Sequence, residues 1–115
     1  KSDDDYPVLM INQNRYLDGE FPNGDLYLKW RLVNKKMISE VKGKVIWSLK
    51  VEAQHLINGN LEPIEEILAY WYPSHKAFLE MINSPHRTDN FELRKKLLSY
   101  AVIHRCDGRN VPQIK

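Results

Sequence analysis

The hydrophobic pattern of this chain changes period at Gly43, and that change constrains the fold more than any other feature. In residues 25–42 apolar side chains recur every three or four positions, which predicts a helix with one buried side. Gly43 predicts the end of that helix. In residues 44–56 the period falls to two, which predicts a long strand with one apolar and one mostly polar face. A helix that leads directly into a strand indicates a domain in which the two kinds of element are mixed.

Apolar runs rich in strand-forming residues predict three further strands, at 6–14, at Glu66–Tyr72 and at 101–105. The Asn58-Gly59 dipeptide predicts a hairpin turn before the second of these strands. Between the last two strands the pattern is helical and interrupted.

Three signals shape this interrupted helical region. Ser74 predicts the start of a helix, and Pro85 predicts a break in it. Asp89 and Glu92, spaced as a capping box, predict the start of a second helical stretch.

The predicted order is strand, helix, strand, strand, broken helix, strand, which is typical of the ferredoxin-like α+β fold, βαββαβ. We expect a flexible lead at 1–5, one domain at 6–106 and a C-terminal tail at 107–115. A four-stranded antiparallel sheet with helices on one side leaves its other face bare. A second sheet, a nucleic acid or a C-terminal extension could cover that face.

Composition limits the classes of function. The 115 residues include 17 Lys or Arg against 15 Asp or Glu, a net charge of +2, which disfavours binding to nucleic acid through its phosphates. No apolar run approaches the ~20 residues of a membrane helix. The single Cys106 cannot form an internal disulfide, so we expect a cytoplasmic protein, and the polar start at residues 1–5 leaves a cleaved export signal open.

Several segments resemble one protein family. These are Asn12 within the first strand, the run Gly-Lys-Val-Ile-Trp at 43–47, and the run Tyr-Pro-Ser-His-Lys-Ala-Phe-Leu-Glu-Met at 72–81 with Ser84-Pro85 after it. Together they resemble the domain-of-unknown-function 1330 family over residues 6–106. That family is similar to the dimeric α+β barrels, which include antibiotic-biosynthesis-type monooxygenases and muconolactone-isomerase-like proteins.

The resemblance implies a homodimer formed by packing two sheets together, and a cofactor-independent enzyme acting on a small, possibly aromatic, organic molecule. It supplies no catalytic residues. The third strand also departs from the family, since Glu65-Glu66 stands there without the Trp that is common beside an acidic residue. We therefore transfer no site.

Two histidines are candidate catalytic residues. His104 shares a strand face with Cys106, but a closed metal site needs about four ligands and the sequence shows no companion cluster, so we expect no metal. His104 could act as a general acid or base in a cleft between sheet and helices, or simply bond to a neighbour. His55 lies on the side of Trp47, either at the mouth of such a cleft or at an exposed strand end.

Four residues are candidate ligand contacts. Asn12 interrupts an apolar strand, so its amide must be hydrogen-bonded by the fold or by a ligand. Trp47 and Tyr70 could line a pocket for a flat or apolar molecule, or pack in the core or a dimer interface. The same alternatives apply to Trp30, Trp71 and Tyr72. Arg105 could hold an anionic substrate or pair with Glu52. The candidate site residues are thus catalytic His104 and His55, and ligand-binding Asn12, Trp47, Tyr70 and Arg105.

The sequence lacks a glycine-rich phosphate loop, a Gly-x-Ser-x-Gly elbow, a His-Glu-x-x-His motif and a Cys-x-x-Cys motif, so it indicates no cofactor and no familiar hydrolase. Three hypotheses follow. The first is the small enzyme, and the second is a non-catalytic small-molecule-binding or structural dimer. The third is RNA binding on the bare sheet face, favoured by Tyr70 and Tyr72 on one strand but opposed by the missing RNA-recognition consensus.

Overall fold

A computed structural model describes residues 5–55, 59 and 62–110. The chain begins with strand β1 (Val8–Tyr16), helix α1 (Asp25–Glu40), strand β2 (Lys44–Lys50) and strand β3 (Glu66–Tyr72). Helix α2 (His75–Leu79), a 3-10 turn (Glu80–Asn83) and helix α3 (Arg87–Leu97) then lead into strand β4 (Leu98–Asp107). No helix in the described part of the chain is long and apolar enough to cross a membrane.

The four strands form one antiparallel sheet in the order β2-β3-β1-β4. With its βαββαβ connections this is the ferredoxin-like α+β fold, so the predicted fold class is confirmed. The predicted hairpin of β2 and β3 is confirmed as well, because these strands are neighbours. The strands β2 and β4 are the two edges of the sheet.

The register assigns each strand residue to one face, because residues directly opposite each other in a sheet point to the same side. Val8 is opposite Tyr72, and both side chains are buried against the helices, which defines the helix face. The other side of the sheet, called the open face below, carries Leu9, Ile11, Gln13, Trp47, Leu49, Ile67, Ala69, Trp71, Val102, His104 and Cys106.

Two apolar clusters hold the helices on the sheet. The first joins strand side chains such as Met10 and Leu68 to Ile38 of α1. The second packs Trp30 of α1 against Leu97, at the end of α3. Because both clusters anchor α1, this helix is fixed along its length and forms one wall of any cavity between the helices and the sheet.

Strand β2 is shorter than predicted, ending at Lys50 rather than at residue 56. Beyond it one backbone hydrogen bond remains, from Val51 N to Glu65 O at 2.9 Å. The Gln54 side chain then takes over, since its amide accepts from Ile64 N at 2.8 Å and donates to Glu62 O at 3.0 Å. A bulge between Val45 and Trp47 also separates these two residues, which the strict alternation had placed on one face.

The ends of other elements also differ from the prediction. Strand β4 is longer than 101–105 because it pairs with the whole of β1, and β1 is displaced by two residues from 6–14. Pro85 does interrupt the helical region. The predicted capping box is wrong, because α3 begins at Arg87 and its N-cap residue, His86, makes no side-chain cap hydrogen bond.

Two turn and cap signals can be compared with the structure. Ser74 caps α2 as predicted, since its hydroxyl accepts from Ala77 N at 2.9 Å. Asn58 of the predicted hairpin turn lies outside the described residues, and Gly59 has the positive φ of 82° that such turns require.

Candidate functional site

A cleft of about 350 Å³ lies between the helix face of the sheet and the helical layer. Its volume falls in the range of small-molecule sites. Side chains from all three helices, from the 3-10 turn and from three strands line it, so its shape depends on the whole fold. Its apolar and aromatic walls come from Met10, Met37, Tyr72, Phe78, Leu79, Met81, Ile82, Phe91 and Ile103.

Two polar side chains of the cleft carry buried atoms without a partner. Asn12 Oδ1 and Trp30 Nε1 are shielded from solvent, and neither makes a hydrogen bond to any described residue. A third such atom, Asn14 Oδ1, belongs to a residue that does not line this cleft. Leaving a buried donor or acceptor unpaired costs about 1–3 kcal/mol. Both residues line the cleft, but water does not reach these two atoms, so a ligand contacts them only after the side chains that cover them move.

A short chain of hydrogen bonds crosses the same cleft. Asn90 Nδ2 donates to Asn34 Oδ1 at 3.3 Å, and Asn34 Nδ2 donates to the Tyr70 hydroxyl at 3.1 Å. Burial raises the pKa of Tyr70, which keeps its hydroxyl protonated near neutral pH. The chain thus ends on a hydroxyl whose hydrogen is not donated to any described residue.

The charged side chains that line the cleft are Arg87 and Arg94, both exposed, and no described Asp, Glu, His, Lys or Cys joins them. The cleft is therefore positive at its rim and carries no group that would be a strong base at neutral pH. It suits a ligand that is neutral or anionic.

Glu66 is the centre of a separate buried network on the same sheet face. Its carboxylate accepts from the Tyr16 hydroxyl at 2.6 Å, from the Tyr27 hydroxyl at 2.9 Å and from Arg31 Nη1 at 3.0 Å. Asn14 Nδ2 donates to the Tyr16 hydroxyl at 3.1 Å. These five residues are called the Glu66 network below.

Burial and the hydrogen bond to Glu66 raise the pKa of Tyr27 to about 12 and raise that of Tyr16 further. Both tyrosines therefore remain donors to the carboxylate at neutral pH. Both oxygens of that carboxylate are bonded, so the Glu66 network ties β3 to β1 and α1 and the carboxylate itself has no capacity left for a ligand.

The structure brings together two of the six predicted site residues. Asn12 and Tyr70 both line the cleft. Trp47 and His104 lie on the open face instead, where His104 Nε2 is 3.2 Å from Gln13 Oε1. His55 is exposed beyond the end of β2.

Arg105 points to the helix-face side of the sheet, opposite to His104 as expected, but at the edge of the fold. Its Nη1 atom is 3.2 Å from His75 Nε2, in a smaller hollow near the start of α2. The expected pairing of Arg105 with Glu52 is wrong, because β2 and β4 are opposite edges of the sheet.

Sequence reasoning missed four polar residues of the cleft. Asn34 could have been found, since it follows Trp30 by four residues and precedes Met37 by three, and so interrupts an apolar helix face as Asn12 interrupts a strand. The other omissions have no local signal, because they depend on how the helices pack. The missed residues are Asn34, Arg87, Asn90 and Arg94.

The structure also tests the observation that favoured RNA binding, namely two tyrosines on one face of a strand. Tyr70 and Tyr72 share a face as predicted, but it is the helix face, and they are only 4% and 2% exposed. They cannot stack on bases from solvent. Among the described residues there is also no group of three or more His, Cys, Asp or Glu side chains that could hold a metal ion.

The chain matches no protein-family model and no curated protein. Its fold is shared with solved structures. A protein of unknown function from Rhodopseudomonas palustris is 23% identical, with a TM-score of 0.76 over 96% of this chain and 89% of that one. A DABB family protein with a ferredoxin-like fold from Mesorhizobium loti is 9% identical, with a TM-score of 0.55 over 93% and 97%.

A putative antibiotic biosynthesis monooxygenase from Chloroflexus aurantiacus is 11% identical, with a TM-score of 0.51 over 91% of this chain and 97% of that one. These similarities show the ferredoxin-like α+β fold of the single chain. Membership of the domain-of-unknown-function 1330 family stays a prediction.

Proposed function

We propose that this protein binds a small organic molecule in the cleft between its sheet and its helices. The observation that carries the proposal is the cleft of about 350 Å³ with apolar walls, two of whose lining residues, Asn12 and Trp30, hold a buried atom without a partner. Buried polar groups are nearly always hydrogen-bonded. A ligand that enters the cleft and displaces the side chains covering these two atoms would supply the missing partners.

The chemistry of the lining indicates the kind of ligand. A hydroxyl group suits either unpartnered atom, because it can donate to Asn12 Oδ1 or accept from Trp30 Nε1. An apolar or aromatic body suits the walls. A carboxylate suits the rim, where Arg87 and Arg94 can bind it. A hydroxylated aromatic acid combines all three features.

Catalysis is the second candidate function. The specific observation that favours it is the Asn90–Asn34–Tyr70 chain, which fixes a hydroxyl donor where it could stabilise negative charge on a bound molecule. Such an enzyme would work without a cofactor. The proposed catalytic roles of His104 and His55 would require the substrate to reach the open face or the end of β2, outside the cleft.

We also propose that the open face pairs with that of a second copy, to give a dimeric α+β barrel. Its residues are mostly apolar, and Leu49 is 56% exposed, so water contact there is unfavourable. A second copy supplies a matching apolar face of the same size. The exposed thiol of Cys106 lies on this face, and a reducing cytoplasm is the location we propose for it.

Binding of 4-hydroxybenzoate, measured by calorimetry, tests the cleft. We expect Asn12→Leu to weaken binding about tenfold, because it removes one buried hydrogen bond. The matched control is Gln13→Leu, one residue along the strand but on the open face, and it should bind like the parent protein. Equal losses in both variants, or no binding to the parent at millimolar concentration, would contradict the proposal.

The catalytic alternative has its own test. If a screen of hydroxylated aromatic acids finds turnover, His104→Ala and Tyr70→Phe separate the two candidate regions. Loss in Tyr70→Phe and also in Asn12→Leu, with unchanged melting temperatures, would place the reaction in the cleft, because Asn12 lines only the cleft. Loss in His104→Ala alone would place it at the open face, and the absence of turnover in the whole screen would leave binding as the function.

A further inference from the structure

A second cavity, of about 580 Å³, lies on the other side of the Asn34–Tyr70 hydrogen bond. It runs between α1 and the edge strand β2 and is called the α1–β2 groove below. Asn34 and Tyr70 line both cavities, so this pair forms the partition between them. Its volume also falls in the range of small-molecule sites.

One side of the α1–β2 groove is cationic. Arg31 and Lys35 are four residues apart on α1 and so project from the same side of the helix. Lys35 makes no ion pair with a described carboxylate, and no described Asp or Glu lines the groove. Lys44 contributes little here, because its ammonium lies 5.6 Å from the centre of the Trp71 ring on the open face.

Arg31 is held in place with part of its hydrogen-bonding capacity unused. Its Nη1 atom donates to the Tyr27 hydroxyl at 2.7 Å and to Glu66 Oε2 at 3.0 Å. Its Nε and Nη2 atoms make no hydrogen bond to the described residues, and about a third of the side chain is exposed, at 34%. The Glu66 network therefore orients a guanidinium whose remaining donors are available to an anion.

Tyr70 adds a buried donor to this groove. It is only 4% exposed, and it accepts from Asn34 while its own hydrogen is not donated to any described residue. This is an independent indication of a ligand, because a buried hydroxyl beside a cationic wall is suited to an anionic acceptor. Ser39, one turn beyond Lys35 on the helix, lines the same cavity.

The remaining wall is apolar and open to solvent. Leu28, Leu32 and Val45 are 51%, 59% and 37% exposed, although each lines the groove. A ligand with a short hydrocarbon chain would cover these side chains and remove their surface from water.

We infer that the α1–β2 groove is a second binding site, which takes a carboxylate carrying a short alkyl chain. The carboxylate lies against Arg31, Lys35 and the Tyr70 hydroxyl, and the chain lies on Leu28, Leu32 and Val45. This site shares the Asn34–Tyr70 pair with the cleft. It does not depend on ligand binding through Asn12 and Trp30, but it competes with the catalytic alternative for the single hydrogen of the Tyr70 hydroxyl.

Calorimetric titration with octanoate tests the inference, with 1-octanol as the uncharged probe of equal chain length. We expect octanoate to bind and Lys35→Gln to weaken it about tenfold, since one charge-assisted contact is lost. Lys35 is exposed, so this variant should fold normally, as circular dichroism would verify. Leu32→Asp should also weaken binding, by placing a negative charge on the apolar wall.

The matched control is Arg94→Gln, which removes a cation from the rim of the cleft and should leave octanoate binding unchanged. Equal binding of octanoate and 1-octanol would overturn the inference, as would a loss in Arg94→Gln but not in Lys35→Gln. A protein partner at the β2 edge is the competing occupant. A change of particle mass in Leu32→Asp, with no octanoate binding to the parent, would favour that partner and overturn the inference.

Discussion

At the residue scale, Glu66 shows how this fold tolerates a buried carboxylate. The residue is 3% exposed, and a buried charge is stable only when it is paired and hydrogen-bonded. Two tyrosine hydroxyls and one guanidinium meet that need. The sequence indicated only an acidic residue at the start of a strand, because the partners come from β1 and α1 and no local pattern connects them.

We expect Glu66→Gln to lower the free energy of unfolding by about 2–4 kcal/mol, because Arg31 loses its charged partner and a neutral amide replaces an acceptor of three hydrogen bonds. The matched control is Glu92→Gln, which breaks an exposed ion pair with Lys95 and should change stability by less than about 0.5 kcal/mol. Urea denaturation measures both. A Glu66→Gln protein as stable as the control would show that the Glu66 network is not structural.

The buried tyrosines predict a loss of stability in alkali. Their pKa values are raised in the folded protein, to about 12 for Tyr27, whereas an unfolded tyrosine ionises near its usual value of about 10. Between these values the unfolded state binds fewer protons, so stability falls as the pH rises from about 10 towards 12.

Urea denaturation from pH 9 to pH 11 measures this fall. In Tyr27→Phe we expect the slope to be shallower by roughly 1 kcal/mol per pH unit, because one of the shifted groups is gone. A parent protein whose stability stays constant through this range would contradict the prediction.

At the element scale, the sequence predicted an element well where the residues of that element determine it. It predicted poorly where a partner strand or a distant side chain determines where the element ends. The helical period placed α1, and Ser74 placed the start of α2. The bulge near Val45 and the early end of β2 depend on the partner strand and on Gln54, so strict alternation could not reveal them.

Replacing Ser74 tests the helix cap. We expect Ser74→Ala to cost about 1 kcal/mol, because the Ala77 amide loses its acceptor. Ser74→Asp restores an acceptor and should recover most of that loss. Thermal denaturation measures both variants, and equal destabilisation by alanine and aspartate would show that the hydroxyl does not cap this helix.

At the scale of the whole molecule, the open face decides the assembly. The sequence predicted that one face of the sheet would be bare, since the predicted βαββαβ fold places all its helices on the other face. It could not predict which residues occupy that face, because the register and the bulge determine this. Trp47 was therefore expected beside a cleft and lies on the open face.

Leu49 and Leu17 give a matched pair for the dimer, since they are 56% and 48% exposed and only Leu49 lies on the open face. We expect the parent protein and Leu17→Glu to have twice the 13.6 kDa mass of one chain. Leu49→Glu should shift the mass towards one chain, because two carboxylates would be buried in the interface. Native mass spectrometry distinguishes these results, and a monomeric parent protein would exclude the sheet-to-sheet dimer.

The cleft is also a property of the whole molecule, which explains why the sequence revealed only part of it. Asn12 was found because it interrupts an apolar strand, and the same logic applied to α1 would have found Asn34. Arg87 and Asn90 come from a helix whose packing no local pattern fixes. His104 was proposed as a catalytic residue of the cleft because of its acid–base chemistry alone, whereas the strand register places its side chain on the open face.

The indole N–H resonances of the three tryptophans test the central claim most directly, because each reports hydrogen bonding at its own nitrogen. Trp30 lines the cleft, whereas Trp47 and Trp71 lie on the open face and serve as internal controls. On titration with 4-hydroxybenzoate, we predict that the Trp30 resonance moves to the position of a hydrogen-bonded indole while the other two stay. Movement of Trp47 or Trp71 with a stationary Trp30 would contradict a small-molecule site in the cleft.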